Sequence, residues 1–212
     1  QVAFVRNMAR LGVDVSRETT DQLQVLVDTL GRWQKTINLV GRTTLQDVWA
    51  RHVLDSAQLL PLIPDQAETL VDLGSGGGVP GLVIAALVPS LQVTLVEADA
   101  RKAAFLGEAS RRMGLNRMPT IRIARIESAE PTRSDVVTAR ALAPLGQLLA
   151  WADRHRGDTT ICLFHKGKGW QAELTEAMKS WDIPLQPSNS ITHIDAVILR
   201  IGPFSPRGTG GA

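Results

Sequence analysis

The sequence predicts an α/β protein in which a doubly wound, mostly parallel sheet follows a helical N-terminal extension. Three observations carry that expectation. From Glu68 onward, short apolar runs alternate with amphipathic helical patterns, as strands joined by crossover helices do. The first such run, Leu70-Val71-Asp72-Leu73, passes straight into Gly74-Ser75-Gly76-Gly77-Gly78-Val79-Pro80-Gly81, a glycine-dense turn that leads into a new helical pattern. Before residue 66 every apolar periodicity is helical.

Taken in order, residues 1–11 space Phe4, Met8 and Leu11 as one helical face, with Gly12 as a natural stop. Ser16 is placed to cap a second helix, with Glu18 in its first turn, and Leu23, Leu26, Val27, Leu30, Trp33 and Ile37 form its apolar stripe. Thr43 or Thr44 can cap a third helix that presents Leu45, Val48, Trp49, His52 and Val53 on one side and closes at Pro61 and Pro64. This extension, 1–66, is expected to pack on the main domain, 67–202. There, strands are expected near 69–73, 91–97, 119–124, 134–139, 159–165, 184–189 and 194–201. Helices are expected near 80–87, 100–114, 144–155 and 170–181, and residues 203–212 read as a flexible tail.

Composition narrows the function classes. The chain of 212 residues is 44% hydrophobic with a mean hydropathy near zero, as in soluble globular proteins. No run approaches a membrane span and the first residues lack a signal-peptide build, so a cytoplasmic protein with no membrane partner is expected. One cysteine, Cys162, sits in an apolar run and reads as a small buried hydrophobe. Four scattered histidines give no metal-ligand spacing, so no metal is expected. Net charge is only +2, but Arg101, Lys102, Arg111, Arg112, Arg117, Arg122 and Arg125 crowd one segment, and Arg6 and Arg10 lie near the start. Spacing alone leaves open whether these form a phosphate-attracting face or a solvated one.

The glycine turn fits two ligand classes. Gly76, Gly78 and Gly81 match the dinucleotide spacing G-x-G-x-x-G, while Asp72, Gly74, Gly76 and Gly78 match the D-x-G-x-G-x-G loop of S-adenosylmethionine-dependent methyltransferases. Ligands in such sheets lie beyond the carboxyl ends of the strands. Glu97 ends the second strand, placed to accept from ribose hydroxyls. Arg125-Ile126-Glu127 follows the third, where an apolar contact beside an acceptor suits an adenine. Arg140 leaves the fourth, and His165-Lys166-Gly167-Lys168 forms a basic turn after the fifth. Upstream, His52 and Asp55 share a helical face beside Ser56. A helix interior offers a serine neither a strained turn nor an oxyanion hole, so a polar network joining the extension to the sheet is the preferred reading.

The ordered set of motifs resembles the bacterial ribosomal small-subunit RNA guanine-N7 methyltransferase family, also called glucose-inhibited division protein B. The resemblance runs through Trp33-Gln34-Lys35-Thr36-Ile37-Asn38-Leu39, Arg51-His52 with Asp55-Ser56, and the loop from Asp72 to Val79-Pro80-Gly81. It continues through Glu97 with Arg101-Lys102 and Phe105-Leu106, Arg125-Ile126-Glu127, Ala139-Arg140-Ala141 with Pro144-Leu145, and Lys166-Gly167. It implies a class I S-adenosylmethionine-dependent methyltransferase, Rossmann-like with a seven-stranded sheet, acting on 16S ribosomal RNA or the small-subunit particle as a monomer. Cofactor residues implied are Gly74, Val79, Ile126, Glu127 and Arg140, beside Asp72, Gly76, Gly78 and Glu97 from the loop and strand end. His165 departs from the apolar residue usual before the Lys-Gly pair. Thr192-His193-Ile194-Asp195 departs from the usual basic lead-in to the last strand.

Guanine N7 carries a lone pair and no proton, so the implied reaction needs in-line positioning and no general base. Arg140 and Lys166 are then expected to orient the guanine or its phosphates, Lys166→Ala weakening RNA binding while sparing cofactor affinity. Four Phe, five Trp and no Tyr argue against a stacking platform, leaving basic residues to read RNA shape with a steep salt dependence.

Overall fold

The computed structural model describes residues 1–208. Its helices are α1 (Val2–Arg10), α2 (Arg17–Trp33), α3 (Asp55–Ala57), α4 (Gly81–Leu87), α5 (Ala100–Met113), α6 (Leu145–His155) and α7 (Trp170–Ala177). Its strands are β1 (Thr69–Leu73), β2 (Gln92–Glu97), β3 (Thr120–Ile123), β4 (Ser134–Arg140), β5 (Arg156–Lys166), β6 (Trp181–Asp182), β7 (Leu185–Asn189), β8 (Val197–Ile201) and β9 (Ser205–Pro206). Seven strands make one sheet in the order β3-β2-β1-β4-β5-β8-β7. The pairs among β1 to β5 are parallel, whereas β8 pairs antiparallel with both β5 and β7. The mostly parallel seven-stranded sheet is as the sequence predicts.

The central strands are apolar on both faces because both faces are covered. On one side Leu70, Val93 and Leu95 join Phe4, Met8, Leu23, Leu26 and Leu30 of α1 and α2, Ile84 of α4 and Phe105 of α5 in a single core. The extension therefore shares its core with the sheet. On the other side Val71, Leu73 and Val137 pack with Leu145, Leu148 and Leu149 of α6 and Ala177 of α7. Ser16 caps α2, its hydroxyl accepting from the Thr19 N–H at 3.0 Å.

Three elements differ from expectation. The third helix of the extension is broken into a 3-10 turn (Arg42–Asp47), a π-helical turn (Trp49–Leu54), the short α3 and a second 3-10 turn (Leu60–Leu62). The Arg51 carbonyl and His52 of the π turn, together with Asp55 at the start of α3, meet Arg140 at the end of β4. The last long strand starts at Val197, because residues 190–196 form a turn closed by Ser190 N–H donating to the Ala196 carbonyl at 2.9 Å. Finally, the expected tail is attached over part of its length. Phe204 is buried against Trp181, and Ser205–Pro206 pairs with β6; residues 209–212 lie outside the described residues.

Candidate functional site

The sheet order reverses beside β1, with β2 on one side and β4 on the other, and the diverging strand ends leave a cleft of about 510 Å³. The glycine turn forms its floor. Gly76 has a φ of 47°, a backbone open at low cost only to glycine, and this aims its N–H at Glu97 Oε2, 2.8 Å away. Gly81 is required for close approach: a Cβ there would lie 2.4 Å from Leu95 Cδ2 and 2.8 Å from Asp72 Oδ2. Asp72 is buried under this turn. Its carboxylate accepts from Thr138 Oγ1 at 2.8 Å and from the Gly81 N–H at 3.3 Å, and burial pushes its pKa up to about 6. Glu97, also buried, faces the cleft and holds the Asp99 N–H on Oε1 at 2.9 Å.

Two further segments close the cleft. One is Asn38-Leu39-Val40-Gly41, where the chain leaves α2. Gln34 folds it back: its Oε1 accepts from the Leu39 and Val40 N–H groups at 2.9 and 3.0 Å, and its Nε2 donates to the Val40 carbonyl at 2.8 Å. The other is the turn after β3, where Ala124, Arg125, Ile126 and Glu127 line the opposite wall. His155, buried at the end of α6, donates from Nε2 to the Ile126 carbonyl at 3.3 Å. Its imidazole pKa is lowered by that burial.

A second cleft of about 410 Å³ adjoins the first and shares Gly41, His52, Arg140 and Ala141 with it. In its lining Arg51, Arg140, Lys166 and Lys168 outnumber Asp55 and Asp195, so it is basic on balance. The boundary between the clefts is a hydrogen-bonded network. Arg140 donates to Asp55 Oδ2 at 2.9 Å, to the Arg51 carbonyl at 3.0 Å and to His52 Nδ1. Burial first, and then the facing guanidinium, bring the His52 pKa down to about 4, so the ring is neutral at neutral pH. With Nδ1 accepting, the proton lies on Nε2, which donates to Thr44 Oγ1 at 2.7 Å; Thr44 passes the chain on to the Gly41 carbonyl at 2.7 Å. Asp55 Oδ1 accepts from Thr192 at 2.5 Å and from Gln58 at 2.8 Å. His165 donates from Nε2 to the Asp55 carbonyl at 2.7 Å. The polar network expected around His52 and Asp55 is present, and Ser56 donates to the His52 carbonyl instead of facing a cleft.

Of the residues singled out in the sequence, Gly74, Gly76, Val79, Glu97, Ile126, Glu127 and Arg140 line the first cleft. Asp72 and Gly78 do not: Asp72 supports the turn from beneath, and Gly78 packs against Leu82, whose Cδ1 would be 2.6 Å from a Cβ there. Lys166 lines the second cleft, but its ammonium is bonded to Glu173 and to the Ala143 carbonyl. Wall residues given no role from the sequence are Leu39, Val40, Gly41, Leu142 and Trp151. Leu39 lies within the Trp33-to-Leu39 motif, whose Gln34 was the available signal. The basic segment is partly spent internally, with Arg112 on Glu108 at 2.6 Å and Arg122 on the Glu130 carbonyl at 2.6 Å.

The first cleft fits a nucleoside-bearing ligand. Its volume lies within the ~300–1,000 Å³ usual for small-molecule sites. Bare glycine backbone, a buried carboxylate and an apolar wall at Ile126 converge on it. Comparison with known proteins gives the family. The family model described as GidB, rRNA small subunit methyltransferase G, matches residues 19–198. The Ribosomal RNA small subunit methyltransferase G of Paramagnetospirillum magneticum is 48% identical over 188 residues, which cover 88% of this chain and 90% of that protein. That of Granulibacter bethesdensis is 46% identical over 202 residues, covering 95% and 93%. Among solved structures, the ribosomal protein L11 methylase of Lactobacillus delbrueckii subsp. bulgaricus superposes with a TM-score of 0.59 at 14% identity, covering 72% of this chain and 78% of that one, a likeness of fold.

Proposed function

The chain belongs to the rRNA small subunit methyltransferase G family, and from that premise we propose that it methylates N7 of one guanine in 16S ribosomal RNA. Family membership decides between the two ligand classes that the glycine turn admits: the donor is S-adenosylmethionine. The observation that carries the finer reading is the pair of joined clefts, one fitted to the donor and the other basic and open toward an RNA. Glu97 would hold the ribose hydroxyls. A carboxylate has about four lone-pair sites, and two are taken by the Gly76 and Asp99 amides. Ile126 and Glu127 would meet the adenine, and Gly74 and Gly76 would lie along the amino-acid end. When bound, the donor supplies an electrophilic sulfonium methyl.

The protein's own part is orientation. The acids and imidazoles at the boundary, His52, Asp55 and His165, are committed to internal hydrogen bonds. That suits an acceptor nitrogen with no proton to remove. Arg140 has committed three of its five N–H donors, and those that remain can meet the guanine's edge between the clefts. The fixed fork thus aligns the acceptor, and alignment is the main contribution such a reaction asks of an enzyme. We take the working unit to be a monomer in the bacterial cytoplasm, with 16S RNA or the assembling small-subunit particle as partner.

The test is methylation of 16S RNA and of small-subunit particles with labelled donor, followed by borohydride reduction and aniline scission, which cuts at N7-methylguanine. A single cut that depends on the enzyme is the expected result. A protein that binds S-adenosylhomocysteine yet labels neither substrate would overturn the reading.

A further inference from the structure

The loop between β4 and α6 borders both clefts. Ala141 lines both, and Leu142 lines the donor cleft. Leu142 lies over the glycine turn so closely that a Cβ on Gly74 would be 2.6 Å from its Cδ1. Ala141 has a φ of 50°, the left-handed region that a residue with a Cβ enters only when its surroundings hold it there. Two other elements bind the residues that follow it. Lys166, at the end of β5, donates from Nζ to the Ala143 carbonyl at 2.9 Å and pairs with Glu173 Oε2 at 2.5 Å. The same Glu173 oxygen, from α7, accepts from the Leu145 N–H at 2.8 Å. The Lys166 side chain is only 9% exposed.

We propose that Lys166 and Glu173 form a clamp on the β4–α6 loop. They are positioning residues that press Leu142 onto the glycine turn and fix the boundary across which the methyl group passes. The proposal rests on the reading of the two clefts as donor and acceptor sites. It departs from the expectation that Lys166 grips RNA. The bonds ask more of each residue than its charge. Lys166 must donate to a carbonyl, Glu173 must accept from an amide, and the pair between them sets where both stand. The two readings predict opposite effects for Glu173. If Lys166 served RNA, removing Glu173 would free the ammonium and take away a negative charge, so RNA would bind as well or better. If the pair is a clamp, losing either residue loosens the same loop.

The experiment compares Lys166→Ala, Glu173→Ala, Lys166→Arg and the charge exchange Lys166→Glu with Glu173→Lys in the full chain. S-adenosylhomocysteine affinity is measured by calorimetry and 16S RNA affinity by filter binding. The clamp predicts that both alanine variants weaken S-adenosylhomocysteine binding by about three- to tenfold, the size of one hydrogen bond lost. Lys166→Arg restores binding, because its N–H groups reach both acceptors. The exchanged pair does not, since Glu at 166 cannot donate to Ala143 and Lys at 173 cannot accept from Leu145. Hydrogen exchange at the Leu145 amide reads the clamp without any ligand, and both alanine variants should lose protection there. Wild-type affinity for S-adenosylhomocysteine in Glu173→Ala, or a Lys166→Ala variant that loses RNA affinity alone, overturns the clamp. If the wild-type protein itself fails to bind S-adenosylhomocysteine, the functional reading fails instead, and Leu145 exchange still decides the clamp.

Discussion

Glu97 and Asp72 show how differently two buried acids can serve one turn. Both stand near strand ends, and in the sequence both read as cofactor contacts. Glu97 is the last residue of β2 and reaches the cleft. Asp72 is one residue short of the end of β1 and meets the Gly81 amide under the start of α4. Asp72 stands level with Leu95, two residues short of Glu97 in the sheet, and that difference in depth decides between facing the cleft and supporting the turn, with no residue type to signal it. Glu97→Gln should weaken S-adenosylhomocysteine binding by ten- to a hundredfold, about the loss of a charge-assisted hydrogen bond, because one amide hydrogen must face a backbone N–H. Calorimetry checks it. For Asp72 the sign follows from burial. A carboxyl raised from 3.8 to about 6 favours the folded state most fully below pH 3.8, and that contribution is lost as pH rises through 6. Asp72→Asn, always neutral, loses one of the two accepted bonds at every pH, but its stability relative to the wild type should rise as pH goes from 4 to 7, by at most about 3 kcal/mol. Urea unfolding across that range measures it, and parallel pH curves would show that Asp72 is not held near neutrality.

At the scale of elements, strand and helix positions in the main domain were legible because periodicity and strand-end chemistry agree there. The third helix of the extension was not. Its apolar spacing suits a helix, but the segment is broken by a π turn over Trp49–Leu54 just where the Arg51 carbonyl, His52 and Asp55 meet Arg140, which lies 85 residues beyond Asp55. Local spacing shows that His52 and Asp55 share a face, but not where the helix breaks to meet a partner so far along the chain. The wall at 38–41 was hidden for a related reason: the apolar stripe of α2 runs on to Ile37, whereas the helix stops at Trp33 so that Gln34 can hold the returning chain. Gln34→Ala removes those bonds. It should cost about 1–3 kcal/mol of stability and lower S-adenosylhomocysteine affinity, while Gln34→Glu, which still accepts from Leu39 and Val40, should retain part of both. Urea unfolding and calorimetry on the two variants check this together. Equal loss in both would mean that the accepting oxygen does not organise the wall.

For the whole molecule, the alternation of elements foretold the doubly wound sheet, and the glycine turn after the first strand foretold the floor of the first cleft. The strand order, which places β4 beside β1 and so opens the cleft, comes from crossover connections and not from any one segment. The two-residue strands β6 and β9 are too short to carry a period at all. What the assembled chain adds is a boundary, made by Arg140, His52 and Ala141, that separates the first cleft from the second while joining them. A crystal structure with S-adenosylhomocysteine tests that arrangement most directly. Ribose hydroxyls are expected on Glu97, adenine against Ile126, and the sulfur at Ala141 facing the basic cleft. Adenosine bound elsewhere, or a sulfur turned away from that cleft, would contradict it.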